Sequence, residues 1–203
     1  MTSPARPDRA PRTSAAQLEQ LSALSNGVFA IAMTVLALEL AGAVEPDVPI
    51  GALLRDLLPA ALAYLLSFVI LGLFWFGQRT ALSDLAATDR WHAWSHIGFL
   101  MMIAIIPFPA ALVGAHPDEW LSLVVYAGVL TAAASFLEAG HVWAHRPGGL
   151  AVEGARDSRA VTRRLIFAVL TYGLALLVGL ASPPLGLLVF VASHLAFIAR
   201  PVC

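Results

Sequence analysis

The sequence predicts an all-α integral membrane protein of six transmembrane helices, with both termini cytoplasmic and no soluble domain. Three observations carry this. The chain of 203 residues is 59% hydrophobic and only 12% charged, with a mean hydropathy of +0.80; a soluble domain is nearer half apolar and a quarter charged. Apolar stretches long enough to cross a bilayer recur along it, since about 20 helical residues at ~1.5 Å each match the ~30 Å of hydrocarbon. Lysine is absent, and the 12 arginines fall almost wholly on one side when the stretches are threaded as alternating spans.

Residues 1–17 are rich in Pro, Arg and Ser and read as a disordered cytoplasmic tail. Residues 18–203 form the membrane domain. Its first span is near 18–40, and it reads as uncleaved. It is longer than a signal-peptide core, and Glu45-Pro46-Asp47 follow it in place of a small-residue cleavage site. Further spans lie near 57–78, 92–114 and 119–143. The connection of about 144–161 carries Gly148, Gly149 and Gly154 and reads as a flexible loop. The last apolar run is too long for one span, and Pro183-Pro184 divide it into helices near 162–181 and 184–199. Arg6, Arg9, Arg12, Arg79, Arg90, Arg146, Arg156, Arg159, Arg163, Arg164 and Arg200 then share the cytoplasmic side, against Arg55 alone on the other.

The opposite side carries Glu39, Glu45, Asp47, Asp56, Asp118 and Glu119. This is either the plain complement of the arginine bias or an outer mouth that concentrates cations. The composition also excludes several functions. A net charge of −1 provides no field for nucleic acid. The single Cys203 can form neither an internal disulfide nor a cysteine metal site. No nucleophile–base pattern, phosphate loop or metalloprotease helix is visible, so neither an enzyme nor a cofactor is expected. No span carries an arginine ladder, so no voltage sensor is expected. Thr171-Tyr172-Gly173 echoes a carbonyl filter but lies inside the fifth apolar stretch, as ordinary helix.

The first span is the most informative as a surface. At helical spacing one face reads Leu24, Gly27, Ile31, Thr34, Leu38, Ala41, and the opposite one Phe29, Met33, Leu36, Leu40. The first face is the smaller and holds the only mid-membrane hydroxyl of this helix. Such a face suits a helix–helix contact. It equally suits several copies of the helix around an axis, where rings of Ile31, Thr34 and Leu38 would form an apolar constriction with one hydroxyl layer.

Three stretches resemble the bacterial members of the transmembrane protein 175 family, relatives of the endosomal and lysosomal potassium channel. The first is Ser25-Asn26-Gly27-Val28-Phe29-Ala30-Ile31-Ala32-Met33-Thr34, with Leu36, Leu38 and Glu39 beyond. The second is Phe74-Trp75, and the third is Ile106-Pro107-Phe108-Pro109-Ala110-Ala111-Leu112. The resemblance implies a homotetramer of six-helix subunits in the cell's inner membrane. It implies a potassium-permeable cation channel, with other monovalent cations as further candidates, and the lipid bilayer as its other partner. The path would be lined by the first helix of each subunit without a carbonyl filter. By position the constriction would be Ile31, Thr34 and Leu38, with Glu39 at the outer mouth or capping the helix's exit. The family signature, an Arg followed after three residues by Phe-Ser-Asp, is altered here: Gln20, Leu24, Ser25 and Asn26 occupy its positions. Beyond Trp75 the usual Asn-His-His is replaced by Gly77, Gln78 and Arg79. The resemblance implies that these two regions meet, with Arg79 as a substitute donor to Asn26 or Ser25. Two alternatives stay open. One is a non-conducting relative in which the altered signature has closed the path. The other is a membrane metal or haem protein built on His92, His96, His141 and His145, two pairs at i, i+4 spacing. Trp91, Trp94 and Trp143 around those pairs also fit a plain interfacial belt. Glu138 is read as snorkelling or pairing with Arg146 or Arg79, and His194 has no evident partner in the sequence.

Overall fold

The structure is a computed structural model. It describes residues 12–44, 47–146 and 149–152, with positions 174, 177, 178 and 189. The two last helices expected from sequence, the Pro183-Pro184 break, His194 and Cys203 lie outside the described residues. Six α-helices occupy the described part: α1 Arg12–Gly42, α2 Ile50–Asp56, α3 Leu58–Ser83, α4 Arg90–Ile105, α5 Pro107–Ala115 and α6 Trp120–Ala144. Four segments are long and apolar enough to cross a membrane: Ala15–Gly42, Leu58–Ser83, Arg90–Ala115 and Trp120–Ala144. They coincide with the first four apolar stretches of the sequence.

Local chemistry sets the boundaries. Asp89 caps α4, its carboxylate accepting from the His92 amide at 2.9 Å. The third span breaks between α4 and α5 because Pro107 has no amide proton to continue the ladder. Its fixed φ instead suits the first position of a new helix. The short α2, unforeseen in the connection after the first span, precedes α3 with only Leu57 between. Helix α1 starts at Arg12, so the expected disordered tail gives way to helix over residues 12–17.

One apolar core joins the spans. Phe29, Ala32 and Leu36 of α1 meet Ile70 and Leu71 of α3, Phe99 and Ile103 of α4, and Leu130 and Ala133 of α6. The Phe99 ring stands 6.0 Å from Phe29 and 5.8 Å from Phe74, an arrangement aromatic pairs favour. Inside this core the Ser67 and Tyr126 hydroxyls bond at 2.8 Å, satisfying two polar groups that lipid would leave unpaired. Close approach rests on small residues. A Cβ added at Gly114 of α5 would meet the Ala60 Cα of α3 at 2.9 Å, and one at Gly98 of α4 would meet the Phe136 ring of α6 at 2.7 Å.

A second cluster closes the end that carries the N-terminus. Leu21 of α1, Leu82, Leu85 and Ala144 are buried together, with Leu18, Leu150 and Ala151 against them. Here the chain after α6 is held, against the expectation of a loose loop over its first residues. The Ala86 amide donates to the Leu150 carbonyl at 2.9 Å and the Val152 amide to the Asp84 carbonyl at 3.0 Å.

Candidate functional site

Helix α1 divides sharply between two environments. Phe29, Ala32 and Leu36 are each 2% exposed against the other spans, whereas Ile31 is 65% and Leu38 69% exposed. Leu24, Gly27, Thr34 and Ala41 are exposed as well. The face that periodicity set apart is therefore the one that no other described helix of the protomer covers. Thr34 returns its hydroxyl proton to the Ile31 carbonyl at 2.8 Å, leaving the oxygen lone pairs on the open face. Glu39 is exposed near the far end of the same helix. Asp47, Asp56, Asp118 and Glu119 are exposed too, with His116 3.9 Å from Glu119.

The signature positions gather at the other end of α1. Ser25 is fully buried. Its hydroxyl donates to the Leu21 carbonyl at 2.8 Å, and it lies 2.8 Å from His96 Nε2 of α4. The hydroxyl proton is committed to the carbonyl, so the second bond runs from the His96 Nε2–H to Ser25 Oγ. Asn26 is exposed, and its Oδ1 accepts from the Trp75 indole N–H of α3 at 2.9 Å. The sequence-based expectation that Arg79 would donate to Asn26 or Ser25 is not met. The Arg79 guanidinium lies over the Trp75 ring, 5.4 Å from the centroid, where a cation–π attraction holds it. Gln78 is buried, its Oε1 without a hydrogen-bond partner. Gln20 and Leu24 are exposed, outside this set of contacts. The two altered regions thus do meet, through Trp75.

The histidine pairs turn into the bundle. His92, His96 and His141 are 5%, 4% and 6% exposed and line a cavity of about 10 Å³ with Gly140, room for a single water. His92 Nδ1 bonds Thr88 at 2.9 Å, and His145 Nδ1 donates to the His141 carbonyl at 2.9 Å, while Nε2 of His141 has no partner. Among the described residues, no three of His, Cys, Asp and Glu converge as metal ligands. Their sequence neighbours Trp91 and Trp94 instead face outward, 66% and 61% exposed.

A carboxylate that sequence reasoning passed over organises the same end. Asp89 accepts from the Trp143 indole at 2.9 and 3.2 Å and from Arg146 at 3.4 Å, and the Arg146 guanidinium stacks 3.4 Å above the Trp143 ring. Arg146 is thus directed to Asp89, and Glu138 is buried further along α6. Burial pulls the Asp89 acid upward. The His92 amide, the Trp143 indole and the Arg146 charge outweigh it, so the carboxyl is held below its ordinary value of 3.8. The partnership of Ser25 with His96 was also missed. The signal was present: His92, His96, Phe99 and Ile103 form one stripe at helical spacing, which puts both histidines on the core side of α4.

Known proteins are similar to this chain in sequence and in fold. The family described as the endosomal/lysosomal potassium channel TMEM175 matches residues 20–107. A potassium channel of Streptomyces collinus is 33% identical over 179 residues, covering 83% of this chain and 85% of that protein. One from Chamaesiphon minutus is 34% identical over 133 residues, 62% of this chain and 64% of its own. The crystal structure of a lysosomal potassium-selective channel TMEM175 homolog from Chamaesiphon minutus superimposes with a TM-score of 0.79 at 26% identity. The match covers 93% of this chain and all of that one.

Proposed function

The chain belongs to the TMEM175 potassium channel family, and from that premise we propose that it is a potassium-permeable channel whose path is lined by α1 of each subunit. It is a multi-pass membrane protein and not an enzyme. In this reading it forms a homotetramer of six-span subunits in the inner membrane, with both termini on the arginine-rich side. Ile31, Thr34 and Leu38 make the constriction, and no carbonyl filter is used. The observation that carries the reading is the uncovered face of α1. The helix bearing the family motif packs Phe29, Ala32 and Leu36 against the other spans and turns Ile31 and Leu38 outward at 65% and 69% exposure, with Thr34 between them.

The physics follows from those side chains. An apolar ring offers a cation no ligands, so entry requires partial dehydration, which costs larger cations less. The Thr34 layer returns oxygen coordination one turn beyond Ile31, and the flanking apolar rings can close by dewetting. Exposed Glu39 and the acidic groups of its side raise the local cation concentration at that mouth. The test is potassium flux from liposomes containing the purified protein. Potassium release above that of protein-free liposomes is expected. A folded protein that passes no potassium would refute the reading in favour of a non-conducting relative.

A further inference from the structure

We propose that Arg79 is an electrostatic brake on cation entry at the arginine-rich end of the path, so that it tunes conductance without touching the constriction. The proposal rests on the reading above that α1 lines the path. Three observations lead to it. Arg79 is exposed, and its guanidinium is drawn over Trp75, whose N–H is bonded to Asn26 of α1. Asn26 lies five residues before Ile31, about 7.5 Å along the helix, so the charge is held near the threshold of the constriction. Finally, its α1 neighbour is a neutral amide, and among the described residues Arg79 makes no ion pair with a carboxylate. Two other described arginines at this end, Arg146 and Arg90, differ. Arg146 is paired with Asp89, and Arg90 is exposed at the start of α4, next to Trp91 in sequence. Arg79 is thus an unneutralised cation on the α1 side of the bundle.

A fixed positive charge lowers the cation concentration at a mouth, and salt screens it. For four subunits, taking each guanidinium charge at about one Debye length (~10 Å) from the path in ~0.1 M salt, cation entry is depressed about two- to threefold, and in ~1 M salt the effect vanishes. Single-channel conductance of the wild type, Arg79→Gln and Arg90→Gln is measured in symmetrical potassium chloride at both concentrations. The Arg79→Gln protein is expected to conduct two- to threefold more at the low concentration and equally at the high one, with Arg90→Gln matching the wild type throughout. Arg79→Cys in a Cys203→Ser background provides the second variant. The chain has one native cysteine, so a cationic thiol reagent should restore the low conductance and an anionic one raise it further. Wild-type current with no change in Arg79→Gln or in the modified Arg79→Cys protein overturns this proposal and leaves the pore reading standing. Absence of any wild-type current from folded protein overturns both.

Discussion

Replacing Ser25 by Ala removes the side-chain hydrogen bond that, among the described residues, joins α1 to α4. Ser25 is fully buried and His96 is 4% exposed, so neither can turn to water or headgroups. The substitution deletes an acceptor 2.8 Å from Nε2 and strands a buried N–H donor. An orphaned buried donor costs about 1–3 kcal/mol. At about 2–4 °C per kcal/mol for a chain of this size, the thermal midpoint should fall by about 2–12 °C. The Leu21 carbonyl retains its helical partner, so that half of the serine's bonding adds little. Thermal unfolding in detergent, followed by size-exclusion fluorescence, measures the shift. A double-mutant cycle with His96→Phe isolates the pair, because removing both polar partners leaves nothing stranded. The double variant should recover about 0.5–3 kcal/mol relative to the sum of the singles. Ser25→Ala with an unchanged midpoint, or strict additivity, would show that the hydroxyl and the ring do not hold the two helices together.

Other outcomes follow from the packing and the charges. Gly114→Ala places a methyl 2.9 Å from the Ala60 backbone, which no rotamer relieves, and should destabilise by about 1–3 kcal/mol. Gly128→Ala meets nothing within 4 Å and should be neutral or up to ~1 kcal/mol stabilising by helix propensity; midpoints in the opposite order would refute the close contact. The depressed Asp89 acid makes its ion pair and hydrogen bonds a stabilising element above the unfolded value of about 3.9. That element is lost as pH falls through the lower folded value. Asp89→Asn keeps the helix cap but not the charge, so its midpoint should trail the wild type at pH 7 and converge with it as pH falls through the carboxyl's folded value; a constant gap would contradict the sign.

Much of this protein is legible in its sequence, for identifiable reasons. Lipid requires backbone hydrogen bonds to be satisfied within helices, so uninterrupted apolar length marked the first four spans to within a few residues at most ends. The largest displacement is at Arg12, where helix runs back into polar sequence that periodicity could not read. The division of α1 into covered and uncovered faces was legible because Phe29 and Leu36 lie on one side and Ile31, Thr34 and Leu38 on the other. What escaped was pairing across helices. Nothing local to Ser25 indicates His96, 71 residues away, and nothing at Asp89 indicates Trp143, 54 residues away. The aromatic setting of the histidines suggested an interface because tryptophans cluster there. Trp91 and Trp94 do face outward, while His92 and His96, one and two positions on, face the core. The guess that Arg79 would reach α1 failed because the Trp75 indole occupies that place and offers its ring face to the guanidinium.

The central claim is that the open face of α1 is the wall of the ion path, and Ile31→Asn tests it most directly. Ile31 is 65% exposed in the protomer, so the change removes little packing and should leave folding intact. In the proposed homotetramer this would place four amides in the apolar ring and lower the dehydration barrier there. Single-channel recordings of the reconstituted protein should show a higher conductance than the wild type. Unchanged currents in a folded, assembled Ile31→Asn protein would contradict the account and place the path elsewhere in the bundle.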